Sequence, residues 1–339
     1  MNKRQNAIYE FIKDNPGSTR SAVADYISKI HPGKNSRPTI LRDIDLLLTE
    51  EKIHKSGSGR GTVYFANIDV EAYFAIEPDK RKLKSENFNF DIWADIRNML
   101  NSNELAELDL LNEQYRKNIS ELSPASLKRE IERLTIEFAW KSSKIEGNTY
   151  TLLDTERLIK EKIEAEGNDK SEAIMILNHK TAVDFIFDQP KLFENLTAAK
   201  IEHVHKLLTG DLEIGAGIRR KRIGITGTNY SPLDNQFQIK EALEKLTSFI
   251  NELKHPLEKA LAAVLMISYI QPFEDGNKRT ARTIGNAILL AFNYCPLSYR
   301  SVDEIEYKKG MLLFYEQNDF KYFRKIFTEQ FKMAVEKYF

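Results

Sequence analysis

Between Gln271 and Arg282 the chain reads Gln-Pro-Phe-Glu-Asp-Gly-Asn-Lys-Arg-Thr-Ala-Arg, residue types and spacings that suit polyphosphate binding. A hydrophobic run precedes the segment, Pro272 interrupts it, Gly276 turns it, and a helix is predicted to restart near Asn277. A helix start offers unpaired amides and a partial positive charge to an anion. Arg279 and Arg282 are three apart and share one face of that first turn. Asp275 stands just outside, where a carboxylate can hold a magnesium ion bridging phosphates. Gly276 lets the backbone approach a ligand without a Cβ in the way. The same types also suit an interhelical loop with a capping aspartate and surface arginines, and taken alone they fit both.

The elements that must position this segment are helical. From Pro124 onward, helices are predicted over 126–144, 154–165, 171–187, 198–208, 239–253, 258–270, 277–292, 302–316 and 318–338, many of them amphipathic at the 3.6 period. This is an α-bundle domain over 126–339. The first 66 residues differ. Ile8, Phe11 and Ile12 share a face of a first helix ended by Asn15-Pro16-Gly17. Ser18 is expected to cap a second helix with Val23, Tyr26 and Ile27, and Ser36 a third with Ile40, Ile44 and Leu47. Residues 52–65 read as strand, glycine-rich turn and strand. Three helices and a hairpin resemble a small winged-helix (α+β) domain over 1–66. Its third helix would expose Arg37, Thr39, Arg42 and Asp43, and its hairpin tip Lys55, Ser56, Ser58 and Arg60. Eleven Lys/Arg against seven Asp/Glu leave this part an excess of four positive charges. Such a helix and wing suit a DNA major groove; a protein-contact or dimerisation role suits them too. Residues 67–125 read as a helical connector. In it the charged run 79–84 is expected to be solvated, and 87–100, with Phe90, Trp93, Ile96 and Leu100, to be a packed helix.

Composition sets outer bounds. Fifty Lys/Arg balance fifty Asp/Glu, so nucleic-acid contact has to come from a local patch. The lone cysteine, Cys295, allows no intramolecular disulfide and reads as a buried thiol in a reducing compartment. Met1 to Asn15 is too polar for a secretory leader, and the most apolar run, Ala260 to Ile270, is short of the roughly 20 residues a membrane span needs. The expectation is a cytoplasmic protein with no membrane contact.

The 271–282 segment resembles the signature loop of the Fic/Doc family, H-x-F-x-[DE]-G-N-[GK]-R-x-x-R, matched in register by Phe273, Asp275, Gly276, Asn277, Arg279 and Arg282. The resemblance implies a Fic-type helical bundle that binds ATP or another nucleotide with Mg2+ and is related to enzymes transferring AMP to protein hydroxyls. It implies Asp275 at the metal, the Gly276 and Asn277 amides with Arg279 at the α- and β-phosphates, and Arg282 at the γ-phosphate. Ser142 to Asn148 is similar to the family's inhibitory pattern [ST]-x-x-x-E-[GN]. That likeness implies an inhibitory helix over about 126–148 whose Glu146 pairs with Arg282. Residues 217–232 resemble its β-hairpin flap, which registers a target protein by main-chain pairing and here includes Thr226, Gly227 and Tyr230. Family members often dimerise, so a homodimer is among the implied partners.

Two departures bear on chemistry. The family histidine that takes the proton from the attacking hydroxyl is Gln271, and an amide cannot take that proton. Positioned base catalysis contributes roughly 10²–10⁴-fold. His205 matches a helix position that packs inside, and His31, His54, His179, His203 and His255 read as surface or packing residues. Lys278 stands where AMP-transferring members usually carry glycine; phosphate-transferring relatives carry lysine there. It also adds a cation for phosphates. Three roles follow: a weak or conditional transferase restrained by Glu146, a non-catalytic nucleotide-responsive regulator bound to DNA, or a scaffold without ligand.

Overall fold

The computed structural model describes residues 1–30 and 36–338, and Arg60 without its side chain. The expectations for His31 and for the Arg60 side chain therefore lie outside the described residues. The chain divides into two compact units, Met1–Glu77 and Pro78–Phe339.

The first unit runs α1 (Lys3–Asp14), β1 (Ser18–Thr19), α2 (Arg20–Ile30), α3 (Arg37–Thr49), β2 (Ile53–Ser56), β3 (Val63–Ala66) and α4 (Val70–Phe74). It extends past residue 66 because Asp69 caps α4 by accepting from the Ala72 amide. The strands form an antiparallel sheet in the order β1-β3-β2. Ile8, Ile12, Val23, Ile27, Ile40, Ile44 and Leu47 close over Tyr64 in one core, as their helical spacing predicts. Three local expectations change: Ser36 stands at the start of α3, but its hydroxyl meets Thr39 Oγ1 and caps no amide. Ser18 lies in β1, and it is Thr19 that caps α2, accepting from the Ala22 amide at 3.2 Å. Asp43 is not exposed: its carboxylate is buried and takes hydrogen bonds from Arg4 and Gln5 of α1.

The second unit is helical: α5 (Ile92–Asp95), α6 (Ser102–Glu121), α7 (Pro124–Ile145), α8 (Leu152–Glu161), α9 (Lys170–Asp188), α10 (Ala198–Thr209), α11 (Gln236–Glu252), α12 (Pro256–Ile270), α13 (Asn277–Ala291), α14 (Glu304–Gln317) and α15 (Lys321–Tyr338). Helix α12 is buried on every side, which accounts for a sequence apolar beyond a single stripe. Gly285 of α13 lets the two helices meet closely, since a Cβ there would stand 2.8 Å from Val264 Cγ2. The junction of α12 and α13 is thereby held at the centre of the bundle. Cys295 is buried and free, as expected. Among the described residues no helix is long and apolar enough to cross a membrane.

Three predicted segments differ. In 87–100 only one turn, α5, is helical. Asn98 takes a left-handed backbone (φ 55°), and Phe90 is 58% exposed while Trp93, Ile96 and Leu100 are buried. The run 79–84 is not uniformly solvated, because Arg81 is buried against Glu316 at 2.8 Å and donates to the Gly227 carbonyl. Residues 217–232 turn at Thr226-Gly227, but instead of the expected β-hairpin their arms are extended loop without strand pairing between them. The second arm pairs instead with the 86–87 segment, through Ser231 N to Glu86 O at 2.7 Å.

Candidate functional site

Helix α12 ends at Gln271, which takes a left-handed conformation (φ 51°, ψ 60°) that costs a residue with a Cβ roughly 1 kcal/mol. The loop that follows is braced from within. The Asn277 carboxamide accepts from the Phe273 amide and donates to its carbonyl, both at 2.9 Å. The Asn277 side chain is therefore committed to the loop, and only its backbone faces outward. Phe273 stacks on His205 with ring centroids 3.7 Å apart, and His205 Nε2 donates to the Asp275 carbonyl at 2.9 Å. Burial, with Arg279 nearby, pushes the His205 imidazole down to about 4, so it is a neutral positioning group, as its place on the helix predicts. Gly276 has φ 76°, and a Cβ there would lie 3.1 Å from Thr209 Cγ2. It then opens α13 with no side-chain cap over the first amides.

Of the two readings open to residue types alone, surface arginines are excluded: Arg279 is 1% exposed and Arg282 is fully buried. Arg279 Nη2 donates to Asp275 Oδ2 at 3.0 Å, but among the described residues its Nε and Nη1 have no acceptor. Arg282 donates through Nε to Ser142 Oγ at 2.9 Å, and through Nη2 to Ser142 O at 2.8 Å and Glu146 Oε1 at 2.9 Å. Its Nη1 meets no acceptor in good hydrogen-bond geometry among the described residues, and its guanidinium faces Tyr307, 5.2 Å from the centre of the ring. Glu146 caps the end of α7 and also receives Lys278 Nζ at 3.3 Å. Burial works against this carboxylate, but Arg282, Lys278 and Arg279 outweigh it and hold Glu146 below the usual range. Arg282 shows the converse. Burial disfavours its charge, yet Tyr307 and Glu146 leave its pKa raised.

Glu146, Lys278, Asp275 and Tyr307 border a cavity of about 460 Å³ whose walls are the loop, the end of α7, one face of α14 and the flap, while Arg279 and Arg282 lie behind its lining. Gln271, Asp275, Gly276, Asn277, Lys278, Glu146 and Thr226 all line it. Gln271 is 6% exposed, and its Nε2 donates to Ser268 O at 2.7 Å. Tyr230 does not reach the cavity. It is buried under the flap, stacked on Tyr269 at 4.6 Å, with its hydroxyl on the Tyr269 carbonyl. Gly227 turns the flap with φ 87°. In the first unit Arg37, Arg42 and Lys55 are exposed, and Thr39 is half-buried with its hydroxyl 2.8 Å from Ser36 Oγ.

Sequence reasoning missed three participants. Tyr307 and Tyr315 reach the cavity from α14, where they share a helical face with Met311. Arg219 sits under the flap, its guanidinium donating to the carbonyls of Gln271, Lys221 and Leu233. The i, i+4, i+8 spacing of 307, 311 and 315 was available as a signal. The inward course of Arg219 was not, because it depends on carbonyls distant in sequence.

A helical bundle with a helix-start loop, two buried arginines and a carboxylate laid across one of them defines the class. Residues 195–289 match the Fic/DOC family. The protein adenylyltransferase Fic of Nematostella vectensis is 29% identical over 185 residues, 53% of this chain and 43% of that protein. Its namesake from Drosophila willistoni is 27% identical over 209 residues, 60% and 41% respectively. The chain thus spans less than half the length of these curated relatives. Fic-1 (residues 134–508) from C. elegans has the same fold with a TM-score of 0.62, 16% identity and coverage of 98% of this chain and 95% of that one. A Fic domain-containing signaling protein from Bacteroides thetaiotaomicron aligns with a TM-score of 0.58, 21% identity and coverage of 68% and 94%.

Proposed function

We propose that the second unit is a Fic-type nucleotide-binding domain related to protein adenylyltransferases, restrained by Glu146 and weakened by Gln271. One observation carries the reading: among the described residues, Arg279 Nε and Nη1 and Arg282 Nη1 are buried donors without a hydrogen-bond acceptor. Leaving such donors unpaired costs about 1–3 kcal/mol each, so their natural partner is an anion that enters from outside. Phosphate oxygens fit, because the open amides of α13 lie beside them. Asp275, with its side chain 68% exposed, would hold magnesium, which when bound neutralises charge between phosphates.

Gln271 positions a hydroxyl but takes no proton from it, so transfer at this site lacks the roughly 10²–10⁴-fold of a positioned base. Glu146 meanwhile occupies the Arg282 fork on which a terminal phosphate depends. The test is ATP binding and label transfer with magnesium in the wild type, Glu146→Gly and Glu146→Gly/Gln271→His. The expected result is tighter ATP binding in Glu146→Gly and label transfer that becomes strong only in the double variant. Label from the α-phosphate identifies AMP transfer; label from the γ-phosphate alone identifies phosphate transfer through the Lys278 form of the loop. No ATP binding in any of the three sinks the reading.

A second reading adds to the first. Burial of Asp43 removes one acid from the outer face of α3 and leaves Arg37 and Arg42 exposed there. This supports a winged helix that meets DNA phosphates through Arg37, Arg42 and Lys55. Duplex DNA binding that falls in Arg37→Glu/Arg42→Glu, and weakens with salt, is the expected result. Equal binding by the variant would remove it.

A further inference from the structure

The first arm of the flap carries three consecutive cations, Arg220, Lys221 and Arg222, all exposed. Some exposed cations of this protein are neutralised locally, as in Lys160 with Glu156 at 2.7 Å or Lys84 with Asp95 at 2.9 Å. The flap cations are different. Among the described residues none of the three makes an ion pair, and their only side-chain hydrogen bond is Arg222 Nη2 to Ser231 Oγ at 3.2 Å. Arg219, the fourth cation of the run, turns inward and fastens the arm to the Gln271 loop, so its neighbours are held in place rather than trailing in solvent.

The backbone beside these cations is open as well. From Arg220 to Thr226 no amide donates to another backbone group among the described residues, whereas Arg219 N is paired with Pro272 O at 3.0 Å. Ile223 and Ile225 follow directly and line the cavity, so the cationic stretch leads to its mouth. The acids across the mouth are placed differently. Asp275 is paired with Arg279, and Glu274 lies against the backbone at Gly215.

We infer that the flap selects an extended protein segment rich in acidic residues on the side that lies along Arg220 to Arg222. Main-chain pairing would align the segment, and the three cations would choose its sequence. This rests on the reading of the second unit as a transferase-related domain whose flap receives a target. A single-stranded nucleic acid is the competing polyanion. An extended peptide is favoured because the unpaired amides of the arm match a strand, and stacking platforms are missing: the exposed neighbours are Gly224 and Thr226, not aromatics.

The test uses the full chain and fluorescence anisotropy. The probes are a labelled peptide with serine, threonine and tyrosine set among glutamates, the same peptide with glutamines, and a single-stranded thymidine oligonucleotide. Three exposed pairs together amount to about tenfold in affinity. The glutamate peptide is expected to bind about tenfold more tightly than the glutamine peptide. That difference should shrink with added salt and vanish in Arg220→Glu/Lys221→Glu/Arg222→Glu. Equal binding of the two peptides, or binding of neither, overturns the inference. So does tighter binding of the oligonucleotide, lost in the same variant. Magnesium-ATP binding measured on the same samples reports separately on the nucleotide site, so failure of that reading is distinguishable from failure of this one.

Discussion

Glu146 is shared between two cations of α13, with Oε1 2.9 Å from Arg282 Nη2 and Oε2 3.3 Å from Lys278 Nζ. Lys278, a residue suited by charge to phosphates, is thus turned toward that carboxylate instead. The two partners differ in weight. Arg282 is fully buried, and a buried pair broken from one side costs about 3–5 kcal/mol. Lys278 is 26% exposed at its side chain, where a pair contributes about 1 kcal/mol or less. Glu146→Gln is therefore expected to lower unfolding stability by about 3 kcal/mol without nucleotide while tightening magnesium-ATP binding at least about tenfold. Lys278→Ala should change stability by less than about 1 kcal/mol. Denaturant unfolding and calorimetric titration read both, and equal effects from the two variants would contradict the ranking.

The Glu146 carboxyl lies below its usual value, so its contribution is complete above the unfolded pKa of 4.5 and fades as pH falls through the lowered folded value. Between about pH 5 and 8 the clamp should neither open nor tighten. The ratio of ATP affinities between Glu146→Gln and wild type is expected to be flat over that range. A ratio that collapses toward unity at pH 5 would show that the clamp titrates where this geometry says it does not.

Much of this site was legible in the sequence because it is local. The order Pro272, Gly276, Asn277, Arg279, Arg282 encodes a loop and a helix start, whereas the Glu146–Arg282 pairing, across 136 positions, was implied only by the resemblance carried by the 142–148 pattern. What could not be read is non-local. The run at 79–84 looks solvated by composition, yet Arg81 goes inside because Glu316, far along the chain, waits there with 0% exposure. Tyr230 sits in a flap pattern, but stacking on Tyr269 makes it an anchor rather than a contact. The flap arms alternate as strands should, yet among the described residues no partner strand lies beside the first. Patterning marks a strand-like segment without saying what completes it.

Arg81 ties three parts of the second unit together: its own segment, Glu316 on α14 and the flap turn at Gly227. Arg81→Ala removes the buried guanidinium partner of Glu316 and the donor to the Gly227 carbonyl. A stability loss of about 3 kcal/mol is expected, together with faster amide exchange across 224–229. Arg81→Lys should recover part of the stability but less of the flap protection, because one ammonium cannot reproduce the guanidinium fork. Unchanged exchange in Arg81→Ala would show that the flap is held by Arg219 and Tyr230 alone.

Gly276 combines a left-handed backbone with a tight neighbour, Thr209 Cγ2, 3.1 Å from where a Cβ would stand. Gly276→Ala is expected to cost about 1–2 kcal/mol of stability. It should also weaken magnesium-ATP binding, since the loop and the first amides of α13 shift together. Gly276→Ala/Thr209→Ser removes the contact but not the backbone strain. Full rescue by the second substitution would mean that crowding alone, and not φ, makes glycine necessary.

His179 is fully buried in α9, edge-on to Phe138 at 4.9 Å, and neither ring nitrogen has a protein partner among the described residues. Burial, reinforced by Arg282 and Arg279, pushes its pKa down to about 3, with Glu146 opposing weakly. The folded protein therefore keeps this ring neutral, while the unfolded chain binds a proton below 6.5. Stability from His179 is complete above 6.5 and falls as pH drops toward 3, by about 1.4 kcal/mol per pH unit. His205, down to about 4, acts in the same direction, so the wild type should lose stability steeply between about pH 6.5 and 5. His179→Leu keeps a similar volume and discards two unpartnered polar atoms, which is expected to raise stability at pH 7 by about 1 kcal/mol. It should also spare about 2 kcal/mol of the loss by pH 5. Denaturant unfolding at pH 7, 6 and 5 measures both effects. A destabilised variant at pH 7 with an unaltered pH slope would mean that the ring is held by a hydrogen bond and titrates alike in the folded and unfolded chain.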